Sequence, residues 1–298
     1  MNKAPVIETR ELTKRYGEFE AVSSLDMFVP GQQITGFLGR NGAGKSTTIK
    51  MLLGATHPSS GAGMILGRPI DDPSGNRDAR RRIAHVGEDK QLYAYLTVQE
   101  LISFTKSFYD DWRPDVEYRL LKRYQLPPGR KIKQLSKGMR TKVALLLALS
   151  RRPDLLILDE PSEGLDPVSI EELLQDLVAE AAEGTTVFFS SHQITEVERI
   201  ADRVCIIDRG KLAMELSLET LRREYRRISI GFDTQPIEGE FDRIDGIRQI
   251  QASGRQLTVL ASHNLAGIMD RARCLDAVSV DVTPVSLREI FLETVKAE

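Results

Sequence analysis

Residues 39–46 have the spacing of a phosphate-binding loop. They read GRNGAGKS, which matches the pattern G-x-x-x-x-G-K-[ST] in full. Glycines let the backbone curl until successive N–H groups point at phosphate oxygens. Lys45 would reach the outer phosphates, and the Ser46 hydroxyl would be a ligand for Mg²⁺. We expect the following residues to contact a nucleotide: Gly39, Asn41, Gly42, Ala43, Gly44, Lys45, Ser46 and Thr47.

Two acidic residues end an apolar run further along the chain. Residues 155–158 read LLIL and are followed by Asp159 and Glu160. Asp159 would hold Mg²⁺, directly or through water, and Glu160 would polarise an attacking water molecule. A strand followed by an acidic turn is common, but together with the phosphate-binding loop the pair predicts nucleotide hydrolysis.

The strands and helices expected around these motifs would bring them together. Residues 34–38 predict a buried strand that ends at the loop, and residues 46–53 predict a helix that leaves it. Apolar runs at 155–158 and 186–189 flank a helix expected at 168–182. Strands that alternate with helices indicate a mostly parallel sheet with helices on its faces.

Three further segments have their own patterns. Residues 6–38 alternate and turn like a set of antiparallel strands. Residues 97–150 are expected to be helical and begin with a capping box, since Thr97 is followed three residues later by Glu100. Beyond about Tyr225, short strand-like segments and a final helix predict a small α+β appendage. The apolar stripe of that helix consists of Leu287, Ile290, Phe291 and Val295.

Composition restricts the classes of function. The sequence has 41 Lys and Arg against 43 Asp and Glu, a formal net charge of −2, so no bulk attraction to nucleic acid or anionic lipid is expected. Because no apolar run approaches the roughly 18 residues that span a bilayer, a separate chain would have to supply any membrane part. Cys205 and Cys274 have apolar neighbours and are predicted to be buried, reduced thiols.

Four shorter motifs resemble those of the ABC (ATP-binding cassette) ATPases. Residues 135–139 read LSKGM and resemble the family signature LSGGQ. His192 resembles the family's switch histidine, Asp166 lies in a segment that resembles its D-loop, and Tyr16 resembles the aromatic residue that stacks on adenine. The simpler alternatives are a loop histidine, a helix cap and a strand-end aromatic, respectively. The motifs keep the family's order over about residues 5–225.

The resemblance implies an enzyme of two ATPase subunits that binds ATP and Mg²⁺. The two subunits, from identical or different chains, would lie head to tail, with each ATP between the loop of one and the signature of the other. Ser136, Lys137 and Gly138 would then meet the partner's γ-phosphate at the start of a helix. His192 would contact the γ-phosphate and help to orient the attacking water.

Glu88 departs from the family pattern, which normally has glutamine at that position as a Mg²⁺ ligand and a sensor of the membrane partner. A carboxylate is a harder, charged ligand, so Glu88 is expected to hold the metal with Ser46 and Asp159 and to take part in the chemistry. Gln91, three residues further on, is the alternative. The signature also has Lys137 for its first glycine, a change that could favour ATP or indicate slower hydrolysis.

The expected fold class is α/β. Residues 5–225 would form a P-loop ABC ATPase core, which is a mixed sheet with helices, an antiparallel β-subdomain and a helical subdomain at about 97–150. Residues 226–298 would form a small C-terminal α+β accessory domain.

The resemblance further implies a transporter motor on the cytoplasmic, inner face of the cell membrane. It would drive a separate transmembrane permease subunit that docks on the helical segment. No direct contact with nucleic acid is expected. Residues 286–292 are similar to the tail of many export-type subunits. One alternative is a soluble ABC ATPase that acts on ribosomes or nucleic acid. Known translation-factor members have two cassettes in one chain, and DNA-repair members have long coiled-coil or zinc insertions. This sequence has neither feature. A P-loop kinase leaves the signature and His192 unexplained.

Overall fold

The computed structural model describes residues 5–72, 75–235 and 239–296. They form two compact units, one up to Glu215 and one from Leu216. The division precedes a short helix at Leu218–Glu224, whereas the sequence analysis placed the boundary after that helix, at residue 225.

The first unit contains ten strands and seven α-helices among the described residues. Its strands are β1 (Pro5–Tyr16), β2 (Phe19–Pro30), β3 (Ile34–Leu38), β4 (Ser60–Ile65), β5 (Arg68–Pro69), β6 (Ile83–Val86), β7 (Leu155–Asp159), β8 (Thr186–Ser191), β9 (Arg203–Asp208) and β10 (Lys211–Ser217), the last of which crosses the division. Its helices are α1 (Lys45–Leu52), α2 (Gly75–Arg82), α3 (Val98–Lys106), α4 (Pro114–Arg123), α5 (Lys137–Leu149), α6 (Pro167–Ala182) and α7 (Ile194–Ile200).

These strands form two sheets. One is antiparallel, in the order β2-β1-β4-β5, and the other has the order β10-β9-β3-β8-β7-β6, with parallel pairing from β9 to β6. Every residue of β3, β7 and β8 is buried, as expected for parallel strands that are covered on both faces. The predicted α/β class, with an antiparallel subdomain beside a mainly parallel sheet, is confirmed.

One apolar core joins the two sheets and α1. Among its buried members are Ile7, Leu25, Phe37, Ile49, Leu155 and Phe188. The helical segment follows β6 and begins with the predicted capping box, in which Thr97 Oγ1 accepts from Glu100 N and Glu100 Oε2 accepts from Thr97 N. Because β3 and β7 run parallel within one sheet, their carboxyl ends bring the phosphate-binding loop and the acidic pair to the same edge.

The second unit is an antiparallel sheet with helices. Its elements are α8 (Leu218–Glu224), β11 (Arg226–Gly231), β12 (Ile247–Ser253), β13 (Gln256–Ala261), α9 (Leu265–Cys274), β14 (Ser279–Pro284) and α10 (Leu287–Lys296). The sheet order is β12-β13-β11-β14, and Ile228, Val259 and Ile268 belong to its core. The strands and α10 agree with the short strand-like segments and the final helix that the sequence predicts, whereas α9 was not identified.

The two cysteines differ in burial. Cys205 is buried in β9, whereas Cys274, the last residue of α9, is exposed, so the prediction of two buried thiols is wrong for Cys274. Ile268 and Ala272, which are four residues apart, are the buried residues of α9 and define its core-facing side. Cys274 lies two positions beyond Ala272 and therefore points away from that face, although its neighbours in sequence are apolar.

Candidate nucleotide site

The phosphate-binding loop at residues 39–46 connects β3 to α1. Gly44 precedes α1 with φ +107°, and a Cβ atom there would lie 2.6 Å from the carbonyl oxygen of Ala21, so glycine is required. The first turn of α1 has no acidic residue. The helix N-terminus, with its free N–H groups and its dipole, is therefore suited to an anion.

A cavity of about 650 Å³, the nucleotide cavity, lies over this loop. It is lined by Asn41, Gly42, Gly44, Lys45, Ser46 and Thr47, and from other segments by Phe19, Glu88, Glu160, Glu163 and His192. Gly39 and Ala43 do not line it. A Cβ atom at Gly39 would lie 2.6 Å from the carbonyl oxygen of Ile207, and Ala43 is buried, so these two residues shape the loop.

The carboxylate of Glu160 lies between Lys45 and His192. Lys45 Nζ donates to the carbonyl oxygen of Gly39 at 2.8 Å and lies 3.2 Å from Glu160 Oε1. Glu160 Oε2 accepts from the backbone N–H of His192 at 3.2 Å and lies 2.8 Å from His192 Nδ1. The side chains of Lys45 and Glu160 are almost fully buried, which strengthens their electrostatic interaction.

Ser190 fixes the end of β7. Its hydroxyl donates to Asp159 Oδ1 at 2.6 Å and accepts from the backbone N–H of Glu160 at 3.0 Å. This is possible because Asp159 and Ser190 are paired across β7 and β8. The sequence analysis did not anticipate the contact of this serine with the acidic pair.

A second cavity, of about 350 Å³, is lined by all three expected Mg²⁺ ligands, Ser46, Asp159 and Glu88. Gln91 lines it too, but Ser46 and Glu88 also line the nucleotide cavity. Within the described residues, no cluster of three or more His, Cys, Asp or Glu could hold a metal ion unaided. Hydroxyl and carboxylate oxygens that share Mg²⁺ with substrate phosphates fit this donor set.

Lys90 is a charged residue of the site that the sequence analysis missed. Its side chain is buried, and Nζ donates to the carbonyl oxygen of Glu160 at 3.4 Å. Burial lowers the pKa of Lys90. A lysine was not expected to be buried here, and only the fold shows that its positive charge lies beside the acidic residues Glu88 and Asp159.

Phe19 lines the nucleotide cavity, whereas the expected aromatic residue, Tyr16, does not. The two are cross-strand partners on either side of a two-residue turn and are both at least half exposed. Tyr16 has Lys14 Nζ 5.1 Å from its ring centroid. The hairpin pattern could have identified Phe19, because residues that flank such a turn face the same side.

The signature residues Ser136, Lys137 and Gly138 lie at the start of α5, outside the lining of the nucleotide cavity. Ser136 caps α5 by accepting from the backbone N–H of Met139 at 3.2 Å, and the first turn has no acidic residue. Lys137 Nζ lies 2.6 Å from Glu163 Oε1. Ser136 and Lys137 are exposed, and the N–H groups of this helix start suit an anion.

Asp166 caps α6. Its Oδ1 accepts from the backbone N–H of Ser169 at 3.0 Å, and its Oδ2 accepts from the Ser169 hydroxyl at 2.6 Å. These bonds, first of all the one from the hydroxyl, lower the pKa of Asp166. The helix-cap reading of Asp166 is therefore confirmed, and this residue does not line the nucleotide cavity.

The chain resembles many transporter components. Residues 22–163 match the family model described as ABC transporter. The bacitracin transport ATP-binding protein BcrA of Bacillus licheniformis is 37% identical over 225 residues, which are 74% of this chain and 73% of that protein. The ABC transporter ATP-binding protein YtrB of Bacillus subtilis is 27% identical over 288 residues, 96% of this chain and 97% of that protein.

A solved structure of an ATP-binding subunit of an ABC transporter has the same fold. It is 30% identical, with a TM-score of 0.66, and the match covers 73% of this chain and 92% of that chain. In the part of the chain that the structure describes, no helix combines the length and the apolar character needed to cross a membrane. The phosphate-binding loop, the acidic pair and these similarities together show that the chain belongs to the ABC transporter family, as an ATP-binding and ATP-hydrolysing subunit.

Proposed function

We propose that this chain is the motor of a membrane exporter and binds ATP in the nucleotide cavity. The observation that carries the proposed hydrolysis of ATP is the position of the Glu160 carboxylate. One of its oxygens lies 3.2 Å from Lys45 Nζ and the other lies 2.8 Å from His192 Nδ1. A carboxylate between the cation for the outer phosphates and a histidine is well placed to activate water against the γ-phosphate.

The residues of the chain divide the work of hydrolysis. Lys45 and the N–H groups of residues 39–46 bind and orient the phosphates. Glu160 accepts a proton from the attacking water. His192 holds the carboxylate of Glu160 through its backbone N–H and its ring, and contacts the γ-phosphate.

Ser46, Asp159 and Glu88 would hold Mg²⁺ on the phosphate side of this site. When bound, Mg²⁺ would neutralise charge on the phosphate oxygens. The shared lining of the second cavity supports this set of ligands over one that contains Gln91 alone, because Ser46 and Glu88 also face the nucleotide cavity.

A second ATPase subunit would complete the site. The signature residues Ser136, Lys137 and Gly138 begin a capped helix whose first turn has no acidic residue, and they do not line the chain's own nucleotide cavity. Their backbone N–H groups suit the γ-phosphate of a nucleotide that is bound by a partner. Asp166, which also lies outside the cavity, would contribute to the same interface.

A cluster of exposed aromatic side chains supports docking of a permease on the helical segment. This aromatic patch consists of Tyr93, Tyr95, Phe104 and Phe108, each at least 45% exposed. Its neighbouring ring centroids are 5.1 to 6.0 Å apart. Contiguous exposed apolar surface of this kind marks interaction sites. The patch begins at Tyr93, two residues after Gln91, so the proposed docking surface is close to Glu88 along the chain.

A motor that docks on a permease would lie at the inner face of the cell membrane. The similarity of residues 286–292 to export-type tails favours export. Action on ribosomes or nucleic acid is not proposed, because the matched family and the relatives described above are transporter components.

The proposal is tested by the association state of the purified chain. We expect the Glu160→Gln variant to bind ATP without turnover and to accumulate as an ATP-bound dimer in sedimentation experiments with Mg²⁺. A matched Lys45→Ala/Glu160→Gln double variant should remain monomeric, since it lacks the cation for the phosphates. A Glu160→Gln chain that stays monomeric with ATP and hydrolyses it at the wild-type rate contradicts the proposal.

A further inference from the structure

Glu196, in α7, is a buried carboxylate beside the catalytic residues that has no task in the mechanism above. It is 4% exposed. Its Oε2 accepts from the Ser162 hydroxyl at 2.9 Å and from the Ser191 hydroxyl at 3.1 Å. Burial raises its pKa, and within the described residues Oε1 is buried without a hydrogen-bond partner. Burying a carboxylate costs free energy unless hydrogen bonds or an ion pair compensate it, and the hydrogen bonds here come from the two serines.

The two serines that contact Glu196 stand beside the proposed catalytic pair. Ser162 is two residues after Glu160, and Ser191 directly precedes His192. Both serines are at most 2% exposed. A single carboxylate oxygen therefore joins the segment that carries the water-activating carboxylate to the segment that carries the histidine.

This contact complements the one made by Ser190. Successive side chains of a strand point to opposite faces, so Ser190 and Ser191 leave β8 on different sides. Ser190 holds Asp159 and the backbone N–H of Glu160, and Ser191 reaches Glu196. The backbone around Glu160 is thus held from both faces of β8.

We infer that Glu196 is a positioning residue for ATP hydrolysis, which sets the Glu160 carboxylate relative to His192. The inference rests on the proposed function of that pair. Hydrogen bonds to a buried carboxylate are strong, and a displacement of about 1 Å at a reacting group can lower a rate by about 100-fold. In the part of the chain that the structure describes, the side-chain hydrogen bonds of Glu196 come from Ser162 and Ser191, and none involves residues 39–46. Turnover should therefore depend on Glu196, whereas ATP affinity should not.

The experiment compares Glu196→Ala and Glu196→Gln with wild type in kcat, KM and the Kd for ATP. Glu196→Ala should lower kcat by about 10- to 100-fold and leave the Kd within about twofold. Glu196→Gln should recover part of the rate, because its amide oxygen can still accept from one serine. An unchanged kcat for Glu196→Ala, or a loss of ATP affinity as large as the loss of kcat, overturns the inference.

Glu180→Gln is the matched control. Glu180 lies in α6 and is 1% exposed, and burial raises its pKa as well. Its carboxylate accepts from the Arg113 guanidinium at 2.6 Å. This variant should lower the Tm while kcat remains at the wild-type value. If Glu180→Gln and Glu196→Ala lower kcat in proportion to their loss of Tm, Glu196 has only a structural role and the inference fails.

A double-mutant cycle with His192→Ala tests the route of the effect. If Glu196 acts by aligning Glu160 with His192, Glu196→Ala should cost little further rate once His192 is absent. Additive losses overturn the inference. If Glu160→Gln and His192→Ala leave hydrolysis intact, the proposed function fails and the inference with it. If they stop hydrolysis and Glu196→Ala does not, only the inference fails.

Discussion

Lys45 Nζ lies 3.2 Å from Glu160 Oε1, and both side chains are at most 10% exposed. Lys45 is the cation for the outer phosphates, and Glu160 is the carboxylate that we expect to activate water. The two tasks are therefore linked by one buried ion pair, because phosphate oxygens that approach Lys45 have to replace a carboxylate as its partner.

The first prediction follows from this competition. Glu160→Gln should lower turnover by about 100- to 10,000-fold, since an amide cannot accept the proton of the attacking water. ATP affinity should stay the same or increase, because an uncharged amide competes less strongly for Lys45. Steady-state hydrolysis and equilibrium binding of a fluorescent ATP analogue measure the two effects. Turnover near the wild-type rate would show that Glu160 is not the base.

The second prediction concerns Lys45 itself. Lys45→Ala should weaken ATP binding by roughly 100-fold, because charge-assisted bonds to the outer phosphates are lost. It also leaves the buried Glu160 without its cation, so the Tm is expected to fall. Lys133→Ala, at an exposed position outside both cavities, is the control for charge. Unchanged affinity in Lys45→Ala would remove the assignment of residues 39–46.

The third prediction separates Glu88 from Gln91 as the Mg²⁺ ligand. Glu88→Gln should raise the Mg²⁺ concentration needed for half-maximal activity, with smaller effects on the maximal rate, since firmer ground-state binding does not lower the barrier. Mg²⁺-dependent ATP binding provides a second readout. If Gln91→Ala shifts both dependences and Glu88→Gln shifts neither, Gln91 is the ligand.

The fourth prediction distinguishes the two aromatic residues of the β1–β2 hairpin. Phe19 lines the nucleotide cavity and Tyr16 does not. Phe19→Ala should weaken ATP binding by roughly tenfold through loss of base stacking, and Tyr16→Ala should have a smaller effect. The comparison is made by equilibrium binding of ATP to both variants. The reverse order of effects would restore Tyr16 as the adenine contact.

The fifth prediction concerns the second unit. Deletion of the residues after about Tyr225 should leave nucleotide binding intact, because every residue that lines the two cavities precedes that position. Binding of the ATP analogue to the truncated chain is the measurement, with circular dichroism to establish that it is folded. A folded truncation that no longer binds ATP would show that the tail is integral to the site.

The sequence by itself determined the chemistry of this protein. A phosphate-binding loop is a local structure, in which the strand, the glycines and the start of α1 follow one another along the chain, so residues 39–46 could be recognised without any distant contact. The acidic pair at Asp159 and Glu160 is likewise set by the end of one strand. Helix caps such as Ser136 and Asp166 depend on bonds to residues three positions away, and they too follow from sequence.

Only the tertiary structure decided which of these residues meet. Lys45 and Glu160 lie at the ends of different elements and approach each other because β3 and β7 run parallel in one sheet. The same applies to Lys90 and Glu196, whose positions beside Glu160 and Ser191 depend on which distant segments pack together. Spacing along a chain does not encode these relationships, because side-chain direction reverses with a one-residue change in register.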